Sequence, residues 1–128
     1  MLPFTVEFRA GEPVFEQVLY AVKKAVVAGQ LAPGDRFPSV RALSQELRIN
    51  PNTAHKIVAA LTADDVLLVE PGIGTVVAPP AAGSSEDRAA LLGAELERLI
   101  VEARRLGLDE DKVLWAVRKH WRKFPKSS

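Results

Sequence analysis

The sequence contains no cysteine, few aromatic residues and no long apolar run, and these absences exclude several classes of protein. Without cysteine, the 128-residue chain forms neither disulfides nor thiolate metal sites, which fits a reducing compartment. No apolar run approaches the ~20 residues that span a bilayer. The N-terminus lacks the basic start and apolar stretch of a signal peptide. We therefore expect a cytoplasmic protein.

The composition that remains is that of an ordinary globular domain, with 48% hydrophobic and 26% charged residues. This suits one core and a small appendage. The net charge of +1 argues neither for nor against a nucleic-acid partner. Between residues 36 and 56, however, four Lys and Arg residues face a single Glu. Such a patch can bind phosphate in a nearly neutral domain, although short charged stretches are also common on solvated faces.

The N-terminal half shows helical apolar spacing in three places. A first helix is predicted from Pro13 to Gly29, and a turn-rich segment follows at 31–38. Ser39 is placed to cap a short second helix. The apolar positions expected to face the core are Phe15, Leu19, Val22, Val26, Val40, Leu43 and Leu47.

The stretch RINPNTAHKIV predicts the start of a third helix and not a broken one. Asn50 is a strong N-cap residue, and Pro51 falls at the first helical position, where its missing N–H costs nothing. The buried stripe is expected at Ala54, Ile57, Val58 and Leu61. The opposite face then displays Asn52, Thr53, His55, Lys56 and Ala59.

A β-hairpin is predicted after the third helix. Two apolar runs at 66–70 and 75–79 flank a PGIG turn. The order of three helices and a hairpin describes a winged helix-turn-helix, a mainly α fold with a small β-hairpin. A linker by composition at 79–85 then separates a winged helix-turn-helix domain (1–80) from a two-helix C-terminal region (81–128).

The C-terminal region shows the spacing of helices that pair with other helices. Apolar residues at Leu92, Leu96, Leu99, Ala103 and Leu106 recur every 3.5 residues on average. Gly107 interrupts this pattern, and Asp109 can cap a last helix that runs to about Phe124. The apolar face of that helix is expected at Val113, Leu114, Val117 and Trp121. Two helices cannot bury both stripes, so we expect them to pack on a partner or on the first helix.

The outward face of the third helix has the residue types that read DNA. A helix-turn-helix places its second helix in the major groove, where Asn can pair with adenine and a Thr methyl can touch thymine. Asn50 is mainly a cap, and His55 can read a base, meet a phosphate or do neither. Arg41 lies five residues from Glu46, a poor spacing for an intrahelical pair, which favours a DNA contact. Arg36 precedes the helix and is more readily explained than Arg41 as a solvated loop charge.

Two further segments carry candidate phosphate contacts. Gly72 and Gly74 allow a hairpin tip to approach a nucleic-acid backbone, and Thr75 can donate to a phosphate, although these glycines can equally serve only the turn. The basic C-terminal segment 118–126 could bind phosphate, but the preferred interpretation is that it complements the negative end of the last helix, with Trp121 packed inward.

Enzymatic functions find no support in the sequence. His55 and His120 lie in different modules and form no metal-ligand pair. There is no cysteine nucleophile, no P-loop and no serine elbow. We expect neither a metal nor a cofactor.

With these residues described, the chain resembles the GntR family of bacterial transcriptional regulators. The matching segments are PVFEQV (13–18), GQLAPGDRFPSVRALSQEL (29–47), INPNTAHK (49–56) and GIGTVV (72–77). The short C-terminus looks like that of the YtrA subfamily. The resemblance implies a homodimer on a pseudo-palindromic operator, most often a repressor, and in this subfamily commonly a link to transporter operons.

The resemblance and the residue patterns together predict which residues contact DNA and which hold the dimer. The DNA-binding set is Arg36, Ser39, Arg41, Asn52, Thr53, His55, Lys56, Gly72, Gly74 and Thr75. The dimerisation set is Leu92, Leu96, Leu99, Ala103, Leu106, Val113, Val117 and Trp121. The chain departs from the family pattern at Arg48, where a glycine commonly turns the chain, at His55, often arginine or a small residue, and at Pro71, often basic.

The leading hypothesis is a dimeric, sequence-specific repressor that binds double-stranded DNA. The alternative is a winged-helix module that binds protein through the same face, prompted by the −1 balance of residues 1–80. A small-molecule effector is not required by the sequence.

Overall fold

In the computed structural model, which describes residues 1–125, the chain forms two units, one from Met1 to Ala81 and one that begins at Ala82. The elements of the first unit are α1 (Val14–Val27), α2 (Val40–Leu47), α3 (Pro51–Ala63), β1 (Leu67–Glu70) and β2 (Gly74–Val77). Those of the second are α4 (Ser85–Ala90), a π-helical turn (Leu91–Glu95), α5 (Leu96–Arg105) and α6 (Glu110–Arg122). The predicted fold, mainly α with a winged helix-turn-helix, is confirmed. Lys126 of the basic C-terminal segment lies outside the described residues.

The core of the first unit is built on α1, but on a different stripe from the one predicted. The fully buried positions of α1 are Val18, Val22 and Ala25. Of the predicted set, only Val22 is among them, whereas Phe15, Leu19 and Val26 are partly buried. The helix is also shorter than predicted, because Pro13 is the extended residue before it.

Residues outside the helices also contribute to this core. Phe4 in the N-terminal segment is buried, and its ring stacks on that of Phe37 at a centroid distance of 5.8 Å. Leu31, from the loop after α1, is also buried. Helical periodicity predicts where a helix lies, but it takes no account of core residues that other segments contribute. It therefore predicted the presence of α1 but not which of its residues are most deeply buried. The remaining core positions include Leu43, Ala54, Ile57, Leu61, Leu67 and Val77.

Both helix caps of the helix-turn-helix are present as predicted. The Ser39 hydroxyl oxygen accepts a hydrogen bond from the Ala42 N–H at 3.1 Å. The Asn50 side-chain oxygen accepts one from the Asn52 N–H at 2.8 Å, and Pro51 occupies the first position of α3. The chain reverses between the helices through Arg48, which has φ 53° and ψ 48°. Arg48 is therefore a left-handed arginine at the position where the family commonly has glycine.

The wing consists of two antiparallel strands and a third segment that the sequence did not reveal. β1 pairs with β2 from Leu67 opposite Val77 to Glu70 opposite Gly74, so both strands are shorter than the predicted runs. Arg36 bridges to Val76, and the Phe37 N–H donates to the Thr75 carbonyl at 2.9 Å. The 31–38 segment contains residues typical of turns, and prolines flank its extended part. Because proline is unfavourable inside a strand, the sequence does not predict this strand-like pairing.

The last helix of the second unit is capped as predicted, but the helical stretch before it is not regular. Asp109 caps α6 by accepting from the Lys112 N–H at 2.9 Å. The 86–106 stretch is interrupted by the π-helical turn, which holds more residues per turn than an α-helix. The four-residue step from Leu92 to Leu96 therefore crosses a change of helical period. None of the helices among residues 1–125 is long and apolar enough to cross a membrane.

Candidate nucleic-acid interface

The exposed face of α3 is formed by four side chains that lie opposite the buried ones. Ala54, Ile57 and Leu61 are fully buried. The exposed residues are Asn52, His55, Lys56 and Ala59. Thr53 lies at the edge of this face and is only partly exposed. The predicted outward set therefore lies together on the first turns of the helix, although Thr53 is less accessible than the others.

Helix α2 adds one long cationic side chain to the helix-turn-helix. Arg41 is exposed on the first turn of α2, which packs directly on α3. Ser39 precedes Arg41 and is exposed, but its oxygen already accepts the capping hydrogen bond. The hydroxyl proton of Ser39 is the part of this group that remains to donate to a phosphate.

The wing collects the remaining candidates. Gly72 (φ 80°) and Gly74 (φ 114°) are exposed at the hairpin tip in conformations that L-residues rarely adopt. Thr75 follows on β2 and is partly buried. Arg36 also belongs to this group, because its backbone pairs with β2. The sequence placed Arg36 only before the second helix, and its position beside the wing depends on the undetected strand-like segment.

One exposed side chain at the wing tip escaped the sequence analysis. Ile73 lies between the two tip glycines and is 50% exposed. The PGIG motif was interpreted for its glycines alone, yet an exposed β-branched apolar residue in a turn is itself a signal.

The cations of this surface are free of internal partners. Within residues 1–125, no carboxylate oxygen lies within 4.0 Å of the charged groups of Arg36, Arg41, Arg48 or Lys56. The only acid between residues 36 and 56, Glu46, accepts a hydrogen bond from the Met1 ammonium group at 2.6 Å. The positive charge of this region is therefore available to an external anion.

In the second unit the predicted dimerisation residues remain largely uncovered. Leu92, Leu96, Leu99 and Leu106 of the first stripe are exposed, and Ala103 is buried. On α6, Val117 and Trp121 are exposed and Val113 is partly buried. An exposed hydrogen bond from Arg105 lowers the pKa of Glu102 and raises the pKa of Arg105.

No group of His, Asp or Glu among residues 1–125 is arranged to hold a metal ion. His55 lies on α3 and His120 on α6, in different units. Fold and exposed surface together define a winged helix-turn-helix protein with a cationic, polar recognition helix.

Comparison with known proteins agrees with this class. The model of the family described as bacterial regulatory proteins, gntR family, matches residues 15–77. The HTH-type transcriptional repressor YtrA of Bacillus subtilis is 28% identical over 109 residues, which cover 84% of each chain. A transcriptional regulator from Oenococcus oeni has a TM-score of 0.62 at 27% identity, covering 91% of this chain and 98% of its own. A transcriptional antiterminator from Listeria monocytogenes has the same fold, with a TM-score of 0.81 at 24% identity, covering 98% of this chain and 95% of its own.

Residues 15–77 therefore form a GntR-family DNA-binding domain, and the chain is similar to YtrA over 84% of its length. It is a DNA-binding transcriptional regulator and not an enzyme.

Proposed function

We propose that the protein is a homodimeric, cytoplasmic repressor that binds a pseudo-palindromic operator with α3 in the major groove. The observation that carries this proposal is the exposed start of α3, where Asn52, His55 and Lys56 stand opposite a fully buried stripe. Residues at the N-terminal end of a recognition helix are the ones that reach base edges. Arg41 and the wing tip would hold the phosphates on either side.

The proposal of a homodimer is supported by the apolar surface of the second unit. Leu92 is 70% exposed, Leu99 53% and Trp121 80% in the single chain. Apolar surface of this extent is a mark of an interaction site. A second copy offers the same residues, so that a two-fold axis buries both stripes at once.

The repressor role is supported by similarity alone. YtrA of Bacillus subtilis is named as a repressor, and its likeness to this chain extends beyond the DNA-binding unit to 84% of both chains. A repressor acts by occupying its operator, and the residues proposed to contact DNA all lie in the first unit.

The test is selection of bound sequences from random duplex DNA, followed by affinity measurements over a range of salt concentrations. We expect a two-fold symmetric motif, with an affinity that falls steeply as salt rises because phosphate neutralisation releases counterions. A protein-interaction module would instead yield no enriched motif and no salt-dependent binding. Either of those two results would refute sequence-specific DNA recognition.

A further inference from the structure

A second cationic surface lies on α6, on residues that the proposed function does not use. Trp115 and three cations follow each other at the spacing i, i+3, i+4 and i+7, which places them on one side of the helix. The four residues are Trp115, Arg118, Lys119 and Arg122, and they line a concave site of about 330 Å³.

Trp115 does not belong to the apolar stripe of its helix. At 3.6 residues per turn, Val117 lies about 160° from it around the helix axis. Trp115 is 64% exposed and lies in the middle of a basic face. The Lys119 ammonium group lies 5.1 Å from the centre of the Trp115 ring. The ring therefore serves neither the core nor the proposed dimer stripe.

The cations of this face have no carboxylate partner among the described residues, unlike two arginines on the preceding helical stretch. On the preceding helical stretch, Arg98 and Arg105 each pair with a glutamate, at 2.7 and 2.9 Å. Around Arg118, Lys119 and Arg122, no carboxylate oxygen of residues 1–125 lies within 4.0 Å. The negative end of α6 favours cations in its last turn, but that effect explains neither the tryptophan beside them nor their common concavity.

We propose that this face of α6 binds a small phosphorylated aromatic molecule of the nucleoside polyphosphate class. The indole of Trp115 offers a platform for a flat ring, and the two guanidinium forks match phosphate oxygens. Three unpaired cations call for a ligand with several negative charges. A volume of about 330 Å³ is at the small end of ligand sites, and a concave surface suits such a molecule better than a flat bilayer. The site lies in the second unit, whereas the residues proposed to contact the operator lie in the first.

The test is calorimetric titration of the full chain with ATP, with adenosine and tripolyphosphate as the two halves of the ligand. We expect ATP to bind at least tenfold more tightly than either half. Trp115→Ala and the double variant Arg118→Gln/Arg122→Gln should each weaken ATP binding at least tenfold. Tyr20→Ala is the matched control, because Tyr20 is an exposed ring with Lys24 at 6.0 Å in the first unit, and it should leave ATP binding unchanged.

Three results would overturn the proposal. The first is the absence of ATP binding at millimolar concentration by a wild-type chain of normal helical content. The second is equal affinity for ATP and tripolyphosphate with no effect of Trp115→Ala, which would reduce the site to general charge attraction. The third is that the protein binds phosphatidylglycerol vesicles or random DNA but not ATP, and that Trp115→Ala abolishes this binding. The face would then bind a membrane or a nucleic acid.

Discussion

Asn52 and Lys56 are neighbours on the exposed face of α3, but only the asparagine side chain can distinguish one base from another. An asparagine amide can donate to and accept from one adenine edge, and a mismatch there leaves polar groups unpaired. A lysine ammonium is a point charge that meets any phosphate equally well. The proposed interface therefore predicts a different signature for each residue.

We expect Asn52→Ala to weaken operator binding by about 1–3 kcal/mol, roughly 5- to 150-fold, while binding to random DNA changes little. Fluorescence anisotropy with the selected operator and a scrambled duplex measures both affinities. An equal loss on both duplexes would contradict a base-reading role for Asn52.

Lys56→Gln should weaken both duplexes alike and reduce the slope of log affinity against log salt by about 1. Lys24→Gln is the matched control, since Lys24 is an exposed lysine on α1 and not on the recognition surface. A Lys56→Gln protein with an unchanged salt slope would show that this ammonium contacts no phosphate.

At the level of the elements, the helix-turn-helix was predictable because its signals are local. Ser39, Asn50 and Pro51 act within three residues of their own positions, so the sequence carries the whole interaction. The stacking of Phe4 on Phe37 and the strand-like segment at Arg36 depend on partners far along the chain. The π-helical turn changes the helical period without a proline or other breaker to announce it.

In the candidate site, too, the features set by local sequence were predictable and those set by tertiary contacts were not. The outward residues of α3 were predictable from helical periodicity and the cap, both of which are local. The proximity of Arg36 to the wing and the exposure of Ile73 were not, since each depends on tertiary pairing or on the shape of the hairpin tip.

Arg48→Gly should raise the free energy of unfolding by about 1 kcal/mol, because glycine adopts the left-handed conformation without the clash of a Cβ atom. The control is Asp65→Gly at the second left-handed non-glycine position, φ 60°. Its gain should be smaller, since aspartate tolerates this region better than arginine. Urea unfolding followed by circular dichroism measures both variants. Loss of stability in Arg48→Gly would mean that the arginine side chain contributes more than its backbone costs.

Asn50→Ala should lower the free energy of unfolding by about 1 kcal/mol, because the Asn52 N–H loses the partner it has at 2.8 Å. Asn50→Asp, which keeps a capping oxygen, is the conservative comparison in the same urea experiment. An alanine variant as stable as the wild type would indicate that Pro51 alone sets the start of α3.

For the whole molecule, the proposed homodimer requires that the second unit joins two copies. Leu99→Asp places a charge in the proposed dimer stripe and should convert a micromolar dimer to a monomer in sedimentation velocity, because an unpaired charge is costly to bury. Val101→Asp is the matched control, since Val101 is 59% exposed and lies about 160° away on the same helix. Dissociation by both variants, or a wild-type monomer, would contradict the assignment of this stripe.

The most direct test of the central claim is a hydroxyl-radical footprint of the full chain on its selected operator. Two copies with α3 in successive major grooves should protect two symmetric half-sites whose centres lie about one helical turn, ~34 Å, apart. Loss of protection with Asn52→Ala at the same protein concentration should accompany this pattern. A single unsymmetrical footprint, or protection that Asn52→Ala leaves unchanged, would contradict a homodimer that reads DNA through α3.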